Sequence, residues 1–378
     1  MMRDPVALTE DLVAYDTVSA RPNAPLIGRL ATLLEPLDGR LQRVVSPHDP
    51  EQINLVARFG PDGPGGLAFA GHTDTVPWDG SMRATTAPER DGRRLYGRGT
   101  CDMKGAIAAM IHAAHAVGRD GLSKLKRPLW FALTFQEEVG CHGAKLLQTA
   151  HPLPVDHTII GEPTGLTPVT LHKGYAIAQV KMTGQPCHSS DPRQGASAVH
   201  GAARAVEALL ELGQGWQAQA DDRFTPPWTT INVGLISGGE ARNIVPERAE
   251  FTVEFRPLPG TDVAATMEEI EAVARRAAQS VPGASPLGVA MEVVEVNQPL
   301  FTPDDAPLTQ WLVEQTGAVP GSVPFYTEGA LFNAMGGQTV VCGPGEIAQA
   351  HRVDEWVELD ALEQAAGLYR RAIEQFCT

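Results

Sequence analysis

The sequence predicts an α/β protein: a mixed, largely parallel sheet with helices on both faces, plus an inserted ferredoxin-like α+β unit. Two patterns carry this reading. Short apolar runs alternate with longer helical patterns through residue 173 and again after 299, as in a layered, mostly parallel sheet. Between them the order changes to strand, helix, strand, strand, helix, strand, which fits a ferredoxin-like unit. The length agrees, since 378 residues leave room for two domains at roughly 150 residues each. The expected organisation is one domain built from 1–173 and 299–378, interrupted by a second at 174–298.

Taken in order, residues 4–15 and 25–37 carry helical periodicity. Residues 53–59 alternate like a strand, and 66–71 form a short apolar run ending at His72, which suits a buried strand. Residues 103–117 read as an Ala-rich helix, 129–135 as an apolar and aromatic strand, and 158–161 as the close of another. In the inserted unit, 175–183 is a strand, 197–212 a helix, 230–237 and 249–256 strands, 263–279 a helix and 288–296 the last strand. Helix 307–316, strand 339–342 and helix 360–376 complete the outer domain.

Composition excludes several classes. A formal charge of −15 argues against nucleic acid or an anionic membrane as partner. The five cysteines are scattered without a CxxC pair, so a reducing cytoplasm is expected rather than an exported disulfide framework. The first residues show no apolar signal core, and no run approaches the length of a membrane-spanning helix.

Five polar clusters interrupt this pattern. Gly71-His72-Thr73-Asp74 follows a strand, where ligands bind in open α/β sheets. A metal-bound His usually donates its second N–H to a carboxylate. Asp74 is suited to that, or to orienting a neighbouring group. Gly97-Arg98-Gly99-Thr100-Cys101-Asp102 precedes the Ala-rich helix. Asp102 reads blandly as an N-cap, but the surplus of glycine exceeds what a cap needs. Gln136-Glu137-Glu138 follows another apolar strand, and two carboxylates there are costly unless paired or metal-bound. Gly161-Glu162-Pro163 and Gln349-Ala350-His351 repeat the theme. Carboxylate and imidazole ligands suit zinc or a related divalent ion. A set this rich in carboxylates points to two ions sharing one Asp. His112 and His115 read as satisfied helical histidines, and Cys101 lacks a base that would make it a nucleophile.

GHTDTVP, GRGTCDMKG, QEE, GEPT and the late QAH, in this order, resemble the dizinc M20 family of aminoacylases, deacetylases and carboxypeptidases. HKG at 172–174, HSSDP at 188–192, FRPLPG at 255–260 and YTE at 326–328 bring the resemblance nearest its amino-acid deacetylases. The resemblance implies two zinc ions, for which cobalt or another divalent ion substitutes. His72, Asp102 and Glu162 would hold one; Asp102, Glu138 and His351 the other, with Asp102 bridging. Glu137 would be the general base and Asp74 would support His72. The residues at 174–298 would form a lid and dimerisation domain. Its His188 would reach the partner's site in a homodimer and stabilise the oxyanion. Asn243, Arg256 and the backbone at Gly345 would hold the α-carboxylate of a small N-acyl amino acid. Glu328 reads either as the partner of a cation at the substrate's far end or as a structural glutamate. A binding protein that had lost its chemistry would lack a base or a ligand; His72, Asp102, Glu137, Glu138, Glu162 and His351 are all present. A dinuclear carboxypeptidase would share the same zinc residues.

Overall fold

Strand Leu67–His72 is buried at every position, and the first part of the fold is organised around it. Burial at successive residues means that both faces of the strand are covered, as in parallel sheets. The computed structural model describes residues 4–378. In it the Leu67 strand pairs in parallel with Leu129–Thr134 on one side and His157–Pro163 on the other. His157–Pro163 in turn pairs in parallel with Gln338–Gly343. Arg40–Val45 and Ile53–Phe59 extend the sheet as antiparallel strands beyond Leu129–Thr134. The other end passes to the short strands Val169–His172 and Leu300–Phe301. The sheet is thus mixed and largely parallel at its centre, as the alternation of apolar runs and helices requires.

Two compact units divide the chain. The first holds the large sheet and takes the chain up to Thr170, then Phe301–Gly321 and Thr327–Thr378. The second takes Leu171–Leu300 and a five-residue return, Ser322–Tyr326, that no pattern in the sequence indicates. The core of the first unit joins Phe59, Phe69, Phe131 and Tyr369. Phe131 meets Phe59 and Phe69 edge-on at 5.9 and 5.7 Å between centroids, a favourable aromatic arrangement.

Helix Lys104–Leu122 lies unusually close to the sheet, and glycine is the reason. A Cβ on Gly71 would stand 2.3 Å from Met103 Cε, and one on Gly161 would stand 2.7 Å from the Ala106 Cβ. The helix breaks at Gly118, with φ 75° and ψ 163°, one residue past its expected end at Val117. A final piece then carries on to Leu122. The first helix, Pro5–Val13, has Asp4 as its cap: the Ala7 N–H donates to Asp4 Oδ1 at 2.7 Å.

The second unit has a four-stranded antiparallel sheet in the order Thr230–Gly238, Arg248–Arg256, Tyr175–Thr183, Gly288–Asn297. Tyr175–Thr183 and Arg248–Arg256 bury alternate residues. That face packs with helices Ala198–Trp216 and Val263–Gln279 in one core containing Val180, Phe251, Leu209 and Ile270. The strand order and the β-α-β-β-α-β sequence together make the ferredoxin-like arrangement.

Several elements carry no readable pattern. Glu89–Asp91, Arg94–Tyr96 and Trp356–Glu358 form a small separate sheet. Helix His142–Ala150 starts after Cys141 in a left-handed conformation, without a side-chain cap. Among the described residues no helix is long and apolar enough to cross a membrane.

Candidate metal centre

The carboxyl ends of four neighbouring parallel strands lie side by side in the order Leu129, Leu67, His157, Gln338. His72 is the last residue of its strand and Glu162 the penultimate residue of its own. Glu137 and Glu138 come just past Thr134, and His351 follows Gly343 after a short turn. Asp102 comes from the turn before helix Lys104–Leu122. It is not the helix cap: Met103 occupies that position and no side-chain cap is made.

Asp102 instead divides its carboxylate between two histidines. Its Oδ1 lies 3.0 Å from His72 Nε2, and its Oδ2 lies 3.2 Å from His351 Nε2. On the first side, Glu162 Oε1 is 3.5 Å from His72 Nε2. On the second, Glu138 Oε2 is 2.9 Å from His351 Nε2. Two three-residue groups therefore share one carboxylate. Ligand atoms of His72, Asp102 and Glu138, and those of His72, Glu137 and Glu162, also fall within 4.8 Å of one another, so the two groups form one continuous cluster.

The orientation of His72 is set by the backbone. Its Nδ1 lies 3.0 Å from the Asp74 carbonyl oxygen, so Nδ1–H donates there and Nε2 faces the carboxylates. Of the two roles its spacing left open, the Asp74 side chain takes the second, orienting a neighbouring segment rather than pairing with the His72 ring. Its Oδ1 is 3.6 Å from His72 Nδ1, too long for a hydrogen bond. That oxygen accepts the Glu137 N–H at 3.0 Å, while Oδ2 accepts the Glu138 N–H at 3.3 Å and the Ser19 hydroxyl at 2.7 Å. Asp74 thus positions the segment that carries both glutamates.

The electrostatics record a shortage of positive charge. Burial pushes the Glu162 carboxyl up to about 7, with Asp102 adding to it. Burial, then the Asp102 charge, also raises Glu138. Glu137 keeps some exposed surface, yet burial holds its carboxyl well above the ordinary range; His72 opposes this and Glu162 and Glu138 add to it. Burial works against charging His72, but Glu162 and Asp102 outweigh it and hold its pKa well up. Hydrogen bonds to Asp102 and Glu138 raise His351 to about 10. Burial would raise Asp102, but its contacts with His351 and His72 win and hold it below the usual carboxylate range. The Oε1 of Glu138 is buried with no hydrogen-bond partner, a costly arrangement unless something else satisfies it. Buried carboxylates, a second-nitrogen-anchored imidazole and an orphaned carboxylate oxygen all fit divalent cations.

A family model described as peptidase family M20/M25/M40 matches residues 68–375. The chain belongs to this family. The M20 chain is 38% identical over 377 residues to an acetylornithine deacetylase of Myxococcus xanthus, covering 98% of this chain and 97% of that one. It is 34% identical over 386 residues to an acetylornithine deacetylase of Edwardsiella ictaluri, at 98% and 97% coverage. The aminopeptidase PepT of Bacillus cereus superposes with a TM-score of 0.77 at 20% identity, over 98% of this chain and 97% of that one. The Bacillus subtilis protein YxeP, described as a dinuclear metal binding peptidase, superposes with a TM-score of 0.73 at 15% identity, over 98% and 97%. At such identities the two structures establish the shared fold. Family and relatives together make this M20 chain a metal-dependent amidohydrolase.

The M20 fold brings His72, Asp74, Asp102, Glu137, Glu138, Glu162 and His351 together. Gly345 lies in the same unit with φ 84°, where a Cβ would stand 2.7 Å from Cys101 Sγ. Glu328 also belongs to this unit and is fully buried; its Oε2 accepts the Thr134 hydroxyl at 2.9 Å and burial raises its carboxyl to about 8. His188, Asn243 and Arg256 belong to the second unit. His188 is exposed, with Nδ1 2.8 Å from Ser190 Oγ. Exposed Asn243 accepts the Ser189 N–H at its carbonyl, and Arg256 pairs with Glu254 at 2.8 Å. The residue patterns passed over Ser19, Thr134 and Glu355. Each is an isolated polar residue whose partner is remote in sequence.

Asp102→Asn is expected to reduce bound divalent metal to one ion or fewer per chain, because the amide offers one oxygen where the carboxylate offers two. Elemental analysis after dialysis against zinc measures this. Two ions retained by that variant would refute the shared-carboxylate arrangement.

Proposed function

We propose that the protein is a zinc-dependent deacetylase that hydrolyses N2-acetyl-L-ornithine to L-ornithine and acetate, a step in arginine biosynthesis. The observation that carries a hydrolytic reading is the carboxylate of Asp102 shared between two clusters, with Glu137 beside them. The substrate choice is supported by relatives that bear the name acetylornithine deacetylase and align along nearly the whole chain.

In this reading His72, Asp102 and Glu162 hold one zinc, and Asp102, Glu138 and His351 hold the other. Bound divalent cations supply Lewis-acid charge that polarises an amide carbonyl and makes water acidic at neutral pH. Glu137 then takes the proton from the attacking water on its carboxylate and gives it to the departing amine. The bond from its backbone N–H to Asp74 Oδ1 keeps that carboxylate at the strand end. Of the second-unit residues, His188 reaches the site of the partner subunit and donates to the developing oxyanion there, and Arg256 and Asn243 supply groups that pair with a substrate's α-carboxylate; in the first unit the backbone at Gly345 serves the same carboxylate. Glu328 has no exposed surface, so we place it beneath the site as a support for Thr134 rather than against the substrate's cation.

The same reading makes the protein a cytoplasmic homodimer. Edge strands Thr230–Gly238 and Gly288–Asn297 of the second unit expose Leu235, Ile236, Val293, Val294 and Val296. Apolar residues concentrated on sheet edges are surfaces that proteins cover by association. Light scattering should give twice the 40.3 kDa chain mass, and Leu235→Lys should shift the protein toward monomer. A fully active wild-type monomer would contradict the dimer.

Glu137→Gln is expected to keep its metal and lose roughly 10²–10⁴-fold in kcat, the range for a lost general base. Near-wild-type turnover would remove Glu137 from that role. The zinc-loaded enzyme is expected to prefer N2-acetylornithine over acetylmethionine, N-succinyl-diaminopimelate and dipeptides in kcat/KM. A preference for the succinylated diacid would make the protein a desuccinylase, and one for dipeptides would make it a carboxypeptidase.

A further inference from the structure

Glu355 is almost fully buried, four residues beyond His351, and its carboxylate meets the loop that carries Asp102. Its Oε1 accepts three backbone N–H groups, from Gly99 at 2.9 Å, Cys101 at 2.9 Å and Asp102 at 3.1 Å. Its Oε2 accepts Arg98 Nη1 at 2.6 Å. Its own carbonyl accepts the Gly97 N–H at 3.1 Å. Every residue from Gly97 to Asp102 except Thr100 therefore donates to this one glutamate. Successive N–H groups turned toward one point make an anion nest, and here the anion belongs to the protein. The left-handed Gly99, φ 85°, lets the loop curl around it.

We infer that Glu355 is a positioning residue for the metal centre: it supplies the negative charge that the glycine-rich loop requires, and so leaves both oxygens of Asp102 for His72 and His351. An acid at the start of a helix ordinarily spends its side chain on nearby backbone N–H groups. Asp102 does not: the Lys104 N–H two residues on donates to the Gly99 carbonyl at 2.9 Å and the Ala106 N–H to the Met103 carbonyl at 3.1 Å, and Glu355 holds in place the loop that presents the Gly99 carbonyl, through the N–H groups of Gly99, Cys101 and Asp102. The same contacts set the spacing between two ligand segments. Glu355 and His351 belong to one short stretch of chain, so anchoring Glu355 to the Asp102 backbone fixes where His351 Nε2 can stand relative to Asp102 Oδ2. That separation is 3.2 Å. Arg98, also buried, balances the charge of Glu355, which keeps the clamp from adding an unpaired anion to a carboxylate-rich region.

The inference rests on the metal-dependent reading above but not on any particular substrate. Its test is metal binding to purified full-length protein, measured by chelator competition with zinc, alongside thermal unfolding of the metal-free form. Glu355→Gln removes the charge and leaves one acceptor oxygen, so its amide NH2 must face either the Arg98 guanidinium or the row of N–H groups. It is expected to weaken zinc binding by ~10–100-fold, the range for lost outer-shell partners. Saturating zinc is expected to restore much of kcat, with KM little changed. Glu355→Asp keeps the charge on a shorter arm and should show a smaller shift, which supplies the comparison if Glu355→Gln does not fold. Unchanged zinc affinity in both variants, or in Glu355→Asp alone when Glu355→Gln does not fold, with only a lower unfolding temperature would make Glu355 a general structural residue and overturn the inference. Wild-type protein that bound no divalent ion would instead overturn the metal-dependent reading, and this inference with it.

Discussion

One carboxylate with two histidines, one on each oxygen, is the constraint on which the site depends. Asp102 can face His72 and His351 at 3.0 and 3.2 Å only if the ends of separate strands and one helix meet at fixed heights. Around it stand Glu137, Glu138 and Glu162, each with its carboxyl raised, chiefly by burial. Burying an ion costs several kcal/mol unless a partner compensates it. Two imidazoles cannot neutralise that many acids. Divalent cations would, and they are the largest local charges such a site can contain. The net charge of −15 therefore describes the chain without ions, and says little about the field that a substrate meets.

The heights are set by packing. Glycines at 71 and 161 leave no side chain between the sheet and the helix that begins at Lys104. At Gly105 a Cβ would stand 2.3 Å from the Thr100 carbonyl oxygen. The helix start is thus pressed against both the strands and its own preceding loop. Because interiors are close-packed and transmit small volume changes, a methyl group at any of these glycines would move Asp102 relative to His72. The metal-binding geometry and the core packing are one problem, solved by the same residues.

What was legible follows from the physics of each signal. Strands 53–59 and 175–183 and helices 263–279 and 307–316 fall where their patterns place them, because long amphipathic or alternating segments are decided locally. His72, Glu137, Glu138 and Glu162 stood out because each interrupts an apolar run at or just past a strand end, where an unpaired charge is costly, whereas Asp102 and His351 stood out by the glycine-rich and QAH motifs around them. The side chain of Asp74 was harder to read. Its spacing from His72 allowed either a direct pair or the orienting of a neighbouring group; the carbonyl oxygen takes the imidazole, and the carboxylate is left for Glu137 and Glu138. Glu355 carried no signal, since its partners are more than 250 residues away. Strands Arg94–Tyr96 and Trp356–Glu358 were hidden for the same reason: each finds its partner only in the folded chain.

That small sheet clarifies how a loop histidine can be placed as well as one on a strand. His72 and Glu162 inherit their positions from buried strands. His351 does not: it is half exposed, left-handed at φ 61°, and lies outside any strand or helix. Its position must come from contacts further along the chain. Trp356, Val357 and Glu358 pair with Tyr96, Leu95 and Arg94, and Val357 and Leu95 are buried with Val6 and Leu362. One step inward, Glu355 grips residues 97–102. The ladder and the clamp fix the same two segments in one register, which ends at His351 on one side and Asp102 on the other. The small three-stranded sheet is thereby the rigid element that places His351, which no strand of the main sheet carries.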